Sequence, residues 1–431
     1  AKEIILMAWS KKKAPIIKKA VEGEMSGNVP ATYLQLSDNV EFILDEDAAS
    51  ELTRFNTPWL VKDCSWNKAL IKKAVIWLSS EVKKPILKLT DEDYNNNGMA
   101  QLATEQGPAY DINIDVFNQL QHSITGWPGG KPNADDTQRP ERKSPAKKRS
   151  IIFSPHPDDD VISMGGTFIR LVDQGHDVHV AYQTSGNTAV WDTDVLRYVE
   201  FAIDFKKSTG EDTEKLEATY EKMRDFIDKK EPNEIDLDEI RDVKAFIRKS
   251  EAIAGARYAG LKDKNIHFMA LPFYETGKKV KNPVTDKDVE LTMELLKEVK
   301  PHQIFAAGDF ADPHGTHIVC FRIILEAMKR LRKTESWTKD CWLWMYRGAW
   351  QEFEVHEIEM AVPLSPKEVQ RKRDAIFQHQ SQKDRPVFPG DDEREFWVRA
   401  EERNRETAES YDKLGLANYE AMEAFVKWKF E

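Results

Sequence analysis

The chain has 431 residues, 40% of them hydrophobic and 32% charged, a balance that suits a folded polypeptide and excludes a disordered one. Its net charge of −11 argues against the broad basic face that contact with a phosphate backbone requires, so no nucleic-acid partner is expected. The longest apolar runs, such as Ile4 to Trp9, fall far short of the roughly 20 residues of a membrane span, and no signal-peptide layout opens the chain.

In chain order, Ile4 to Ala8 reads as a strand, Ala14 to Val21 as a short lysine-rich helix and Val40 to Leu44 as a second strand. Because the chain opens inside a strand-like run, it reads as a fragment of a longer protein. Helical patterns follow at Trp66 to Val82 and near Ile112 to Leu120. Residues 123–149 then turn rich in Pro, Gly and charge, which predicts an exposed linker. Its basic end (Arg139, Arg142, Lys143, Lys147, Lys148, Arg149) is either an anion contact or, by the usual behaviour of such runs, a solvated tether.

Beyond the linker, strands alternate with helices. Strands are expected at Ser150 to Pro155, Asp177 to Thr184, Ile266 to Ala270, Gln303 to Ala307 and Trp342 to Tyr346. Helices are expected at Val161 to Asp173, Val243 to Tyr258, Leu291 to Val299 and Thr316 to Arg332. Such alternation implies right-handed crossovers, hence an α/β, Rossmann-like, mainly parallel sheet with helices on both faces. Residues 191–242 break the rhythm and read as a helical insertion. The tail, 386–431, reads as a helical extension, and residues 1–122 as a small α/β unit of their own. Three scattered cysteines, Cys64, Cys320 and Cys341, offer neither a disulfide framework nor a thiolate metal site, and a reducing cytoplasm is the simplest compartment.

Two loops carry the chemistry. Ser154-Pro155-His156-Pro157-Asp158-Asp159-Asp160 follows a buried strand, and ligands of open α/β sheets gather at the carboxyl ends of strands. A helix cap explains one of those aspartates; it explains neither three of them nor the histidine. The second loop, Asp312-Pro313-His314-Gly315-Thr316-His317, also follows a strand and adds two imidazoles. Two histidines and one aspartate meet the ligand count of a catalytic zinc site and leave residues over for proton transfer.

The H-P-D-D and H-x-x-H pair, with Gly165-Gly166-Thr167, Gly175-His176-Asp177-Val178, Arg248-Lys249-Ser250-Glu251 and the late Lys372 to Gln382 segment, resembles the zinc-dependent de-N-acetylases of the PIG-L/LmbE-like family over residues 150–385. Asp160 departs from the glutamate that family commonly carries, and the 191–242 insertion is longer than usual. The resemblance implies a Zn2+ or other divalent-metal site of His156, Asp159 and His317, with Asp158 as general base and His314 stabilising the oxyanion. Either Asp158 or His314 would return the proton to the leaving amine. Arg248 would contact an anionic or hydroxyl-rich part of the substrate, or else be an exposed helix arginine. The implied partner is a small amino-sugar molecule, in a monomer or a homo-oligomer.

A second resemblance lies at the N-terminus. Lys12-Lys13-Ala14, Ala20-Val21-Glu22-Gly23, Tyr33-Leu34-Gln35-Leu36 and Asp45-Glu46-Asp47-Ala48 are similar to the closing part of glucosamine-6-phosphate deaminases. It implies that Lys13 contacts a sugar phosphate. Together the two resemblances imply part of a deaminase–deacetylase fusion. The rival reading is a non-catalytic, sugar-binding or regulatory portion of a deaminase, against which stands the general base Asp158, since a pure binding module needs none.

Overall fold

The computed structural model describes the chain except for residues 1–2, 134–136, 138, 143–144, 146, 233, 279, 311, 313, 349, 385–386, 389–391 and 431. Pro313 of the second loop and Lys143 of the basic run therefore lie outside the described residues. The chain divides into two units, Ala1–Gln121 with Lys413–Gly415, and His122–Asp412 with Leu416–Glu431.

The first unit opens on β1 (Ile4–Ala8) and β2 (Val40–Leu44), a parallel pair in register from Ile4↔Val40 to Ala8↔Leu44. The helix Ala14–Glu22 crosses between them and buries Ala14, Ile17 and Ala20 on one face. Asp45 caps the next helix, its side chain accepting from Ala48 N at 2.7 Å, and it also accepts from Ser10 N. The Asp45-Glu46-Asp47-Ala48 stretch is thus a helix start, as a side-chain oxygen at that place favours. Further on, Tyr94 and Asn113 are fully buried and share a 2.8 Å hydrogen bond.

The second unit is built on a seven-stranded sheet in the order β5-β4-β3-β6-β7-β9-β8. Its strands are β3 (Arg149–Ser154), β4 (Asp177–Tyr182), β5 (Ile266–Phe268), β6 (Gln303–Ala307), β7 (Trp342–Tyr346), β8 (Met360–Leu364) and β9 (Ala421–Trp428). The pairs from β5 through β7 are parallel; β9 runs antiparallel to both β7 and β8. Side chains alternate between two cores. Ile152, Val180, Phe305 and Trp344 enter one, while Ile151, Phe153, Ile304 and Leu343 enter the other. Each face is covered by helices, so the central strands read as continuous apolar runs.

Strand order reverses between β3 and β6. From β3 the chain winds one way to β4 and β5; from β6 it winds the other way to β7. That is the switch point of a doubly wound sheet, where a crevice opens beyond the strand ends.

The insertion is helical, as expected: Asp192–Ser208, Glu214–Lys229 and the start of Asp238–Tyr258 close on a small core of Val195, Val199, Ile203, Met223 and Ile240. Two expectations need correction. The tail is not helical throughout, for after the helix Phe396–Lys413 it re-enters the sheet as β9. Its charges disguise it, since buried Glu423 is paired with buried Lys372 rather than solvated. Nor is the described part of 123–149 an exposed tether. Gly129 lies against the ring of His176, Pro128 O accepts from Gln303 Nε2 at 3.0 Å, and Glu141 and Lys148 are buried. Polar composition hid that packing because its hydrogen bonds are long-range.

Candidate metal centre

Both chemistry-bearing loops leave the sheet at the switch point, one after β3 and one after β6. The first is a tight turn. Ser154 Oγ donates to His156 O at 2.5 Å and accepts from Asp160 N at 3.1 Å, while His156 N donates to Asp159 Oδ2 at 2.9 Å. The helix Asp159–Asp173 starts there, buried along nearly its whole length. In the second loop Asp312 receives backbone N–H bonds from His314 (3.1 Å), Thr316 (2.7 Å) and His317 (3.2 Å). Gly315, at φ 68, takes the left-handed turn into the helix Thr316–Leu331, a conformation that favours glycine.

These turns bring one ligand atom each from His156, Asp159 and His317 within 4.8 Å of one another. Asp159 Oδ2 lies 3.3 Å from His156 Nδ1 and 3.2 Å from His317 Nε2. His317 Nδ1 is 3.0 Å from Asp309 O, a contact that orients the ring and turns Nε2 toward the carboxylate. The buried Nε2 thus faces the Asp159 carboxylate as its charge partner. The donor set of two nitrogens and one oxygen, all within 4.8 Å, fits a divalent transition metal.

The electrostatics agree. Burial alone would raise Asp159, yet His317 and His156 overcome it and hold the carboxyl well below the usual range. Burial would lower His317, but Asp159, Asp312 and Asp309 hold it up at about 10. The cluster therefore stabilises positive charge at one point. A proton on His317 supplies that charge in the bare chain, and a cation would supply it with both imidazoles neutral.

Asp158 sits beside the cluster, raised by burial against the pull of Arg248, whose Nη2 is 3.1 Å from Asp158 Oδ1. Arg248 is 1% exposed and also donates to Pro157 O at 3.0 Å, so the exposed-arginine alternative is set aside. His314 stands exposed at the mouth, its ring edge-on to Phe388 at 4.7 Å. Lys13 belongs to the first unit. The other six residues singled out in the sequence, His156, Asp158, Asp159, Arg248, His314 and His317, line one cavity of about 520 Å³, within the ~300–1,000 Å³ of small-ligand sites.

Sequence reasoning missed much of the wall. Lys230 and Asp236 come from the insertion, Lys244 from the helix Asp238–Tyr258 that follows it, and Tyr274 and Lys281 from the loop after β5; no local pattern marks any of them. Two quoted segments do meet: Glu251 accepts from Ser381 N at 2.8 Å and Ser381 Oγ at 2.7 Å, which places Gln382 in the cavity wall. Asp160 is buried without reaching the cavity; burial pushes it up to about 7 against hydrogen bonds from Tyr182 and Ser154.

A doubly wound domain with two imidazoles and a carboxylate converging at its switch point defines a candidate mononuclear metal protein. More particularly, residues 151–328 match the PIG-L family, whose description is GlcNAc-PI de-N-acetylase. A glucosamine-6-phosphate deaminase-like protein of Bacteroides thetaiotaomicron is 53% identical over 99% of this chain and 65% of its own length. The N-terminal segment matches glucosamine-6-phosphate deaminases, that of Clostridium novyi at 54% identity over 52 residues, 12% of this chain and 22% of that protein. The chain thus spans less than two thirds of the first relative and about a fifth of the second. Among solved structures, N,N'-diacetylchitobiose deacetylase from Pyrococcus horikoshii is 20% identical, covering 68% of this chain and 87% of that one with a TM-score of 0.41. The 4-carboxy-2-hydroxymuconate hydratase from Pseudomonas putida is 15% identical, covering 66% and 97%, also at 0.41. Likenesses of that size carry no argument about the reaction. No helix among the described residues is long and apolar enough to cross a membrane.

Proposed function

We propose that this domain is a zinc-dependent amidohydrolase that removes the N-acetyl group from an N-acetylglucosamine-type sugar or conjugate. The observation that carries the metal part is the convergence of one ligand atom each from His156, Asp159 and His317 within 4.8 Å of one another. The amino-sugar part rests on the PIG-L match.

His156, Asp159 and His317 would hold the ion, which when bound polarises the amide carbonyl and makes water more acidic. Asp158 accepts the proton of the attacking water, and its ion pair with Arg248 fixes the carboxylate's direction. His314, at the mouth, would stabilise the developing oxyanion as an imidazolium, and either Asp158 or His314 would return the proton to the leaving amine. By the N-terminal resemblance, Lys13 contacts a sugar phosphate in a longer parent protein that would join deacylation to deamination.

The purified chain should hold about one zinc and release acetate from an N-acetylglucosamine derivative. Asp158→Asn should keep the metal and lose about 10²–10⁴-fold in kcat, whereas His317→Ala should lose both. A chain that binds zinc yet frees acetate from none of a panel of acylated sugars would overturn the hydrolase and leave a sugar-binding module.

A further inference from the structure

The cavity's cations fall into two groups. Lys230 and Lys244 are each held between Asp192 and Asp236, with four contacts of 2.5 to 2.9 Å that neutralise both ammonium groups. Arg248 is committed to Asp158 and Pro157 O. Lys281 differs. Its Nζ is buried and has no hydrogen-bond or carboxylate partner among the described residues. It rests on the face of Tyr274, 3.6 Å from the ring centroid. Glu275, the acid whose charge acts on Lys281, is occupied elsewhere, accepting from Ser185 N at 2.8 Å and Ser185 Oγ at 2.6 Å.

A buried ammonium with only a ring face beneath it keeps part of its desolvation cost uncompensated. Burial accordingly presses Lys281 down to about 8 against the pull of Glu275, which still leaves it mostly charged at neutral pH. Tyr274 also stands edge-on to the ring of His156 at 6.0 Å, so one side chain touches both the candidate metal cluster and the free ammonium. The acids Glu231 and Glu234 on the cavity wall are exposed, where solvent and salt screen them.

We propose that Lys281 is the specificity residue of this cavity, and that the substrate carries, beside its acylated nitrogen, a compact oxyanion such as a phosphate monoester or a carboxylate. The inference rests on the amidohydrolase reading, because it takes the cavity to be the sugar site. It narrows the substrate class to anionic amino sugars, because the ammonium acts as a point charge on the wall of the cavity that also holds the candidate metal cluster.

The test measures equilibrium binding by calorimetry on the purified full chain, using deacylated sugars that need no turnover: glucosamine, glucosamine 6-phosphate and 2-amino-2-deoxyglucuronic acid. At least one anionic sugar should bind about tenfold or more tighter than glucosamine, and which one does so identifies the oxyanion. Lys281→Gln should bring all three within about twofold of one another, while Lys281→Arg keeps most of the preference. Equal affinity of the three sugars for the wild type, no measurable binding of either anion, or a preference that survives Lys281→Gln would overturn the proposal. The wild-type comparison decides the matter even where a variant does not fold. Because no acetate is measured, failure here is distinct from failure of the hydrolase reading, which the release assay addresses.

Discussion

Glu423 joins the last strand to the helix Asp159–Asp173 that follows the first site loop, and its replacement should be among the most damaging changes in the second unit. The helix Asp159–Asp173 is interrupted at Met164, where φ −134 and ψ 26 depart from helical values. Glu423 receives the backbone N–H groups just beyond that kink, from Gly166 at 2.9 Å and Thr167 at 2.6 Å. It also pairs with Lys372 at 2.8 Å, both side chains being 1% exposed, and Lys372 in turn reaches Asn404 Oδ1 at 2.8 Å. Glu423→Leu leaves a buried ammonium without its carboxylate and two N–H groups without an acceptor. Removing one partner of a buried pair costs about 3–5 kcal/mol. For a unit of about 300 residues that corresponds to a fall in melting temperature of roughly 5–8 °C. Denaturant titration and thermal melts of Glu423→Leu, Lys372→Met and the double variant close a cycle, and the double variant should be more stable than Glu423→Leu alone. A single variant within about 1 kcal/mol of wild type, or a double variant no better than Glu423→Leu, would refute the reasoning.

Asp312→Ala should loosen the loop that presents His314 and His317, because three backbone N–H groups lose their acceptor. Zinc affinity, read by competition with a chelator, should fall about 10–100-fold, and Asp312→Asn should recover part of it; unchanged retention in the alanine variant would refute that role. His176 gives a pH dependence away from the site. Burial and the charges of Lys148 and Lys147 hold it down to about 4, while its Nδ1 accepts from Lys148 N. With the folded value below the unfolded one near 6.5, the unfolded chain binds more protons between the two. Stability is therefore complete above about pH 6.5, falls as the pH drops toward about 4, and levels off below that. His176→Asn keeps an acceptor and cannot titrate, so urea unfolding across that window should show a shallower slope than in wild type; an identical slope would rule His176 out as the source.

Local pattern was enough for the parallel sheet and the two loops. Buried strands such as SIIFS and QIFAA are unbroken apolar runs, and the residues after them, HPDDD and DPHGTH, are too rich in ligand types to be turns alone. The insertion was legible as a break in alternation, though not as a cavity wall. The strands Met360–Leu364 and Ala421–Trp428 escaped because one follows no helix of its own and the other carries Glu423 and Lys427. A charge in a strand reads as solvent-facing until its partner is known, and Lys372 lies 51 residues away.

The sequence by itself determined that His156, Asp158, Asp159, His314 and His317 lie in loops beyond the ends of two strands, since each loop follows its strand within a few residues and needs no distant contact to be placed. Only the tertiary structure decided that those strands, β3 and β6, are neighbours across the reversal of strand order, which brings three ligand atoms within 4.8 Å. It also decided the state of the remaining charges. Arg248 and Lys281 are both plain cations in the sequence, yet one is locked to Asp158 and the other is left on an aromatic face. The reason is physical: chain connectivity fixes what is adjacent in sequence, but burial and pairing depend on which surfaces pack together. Here those surfaces come from segments as far apart as residues 156 and 423.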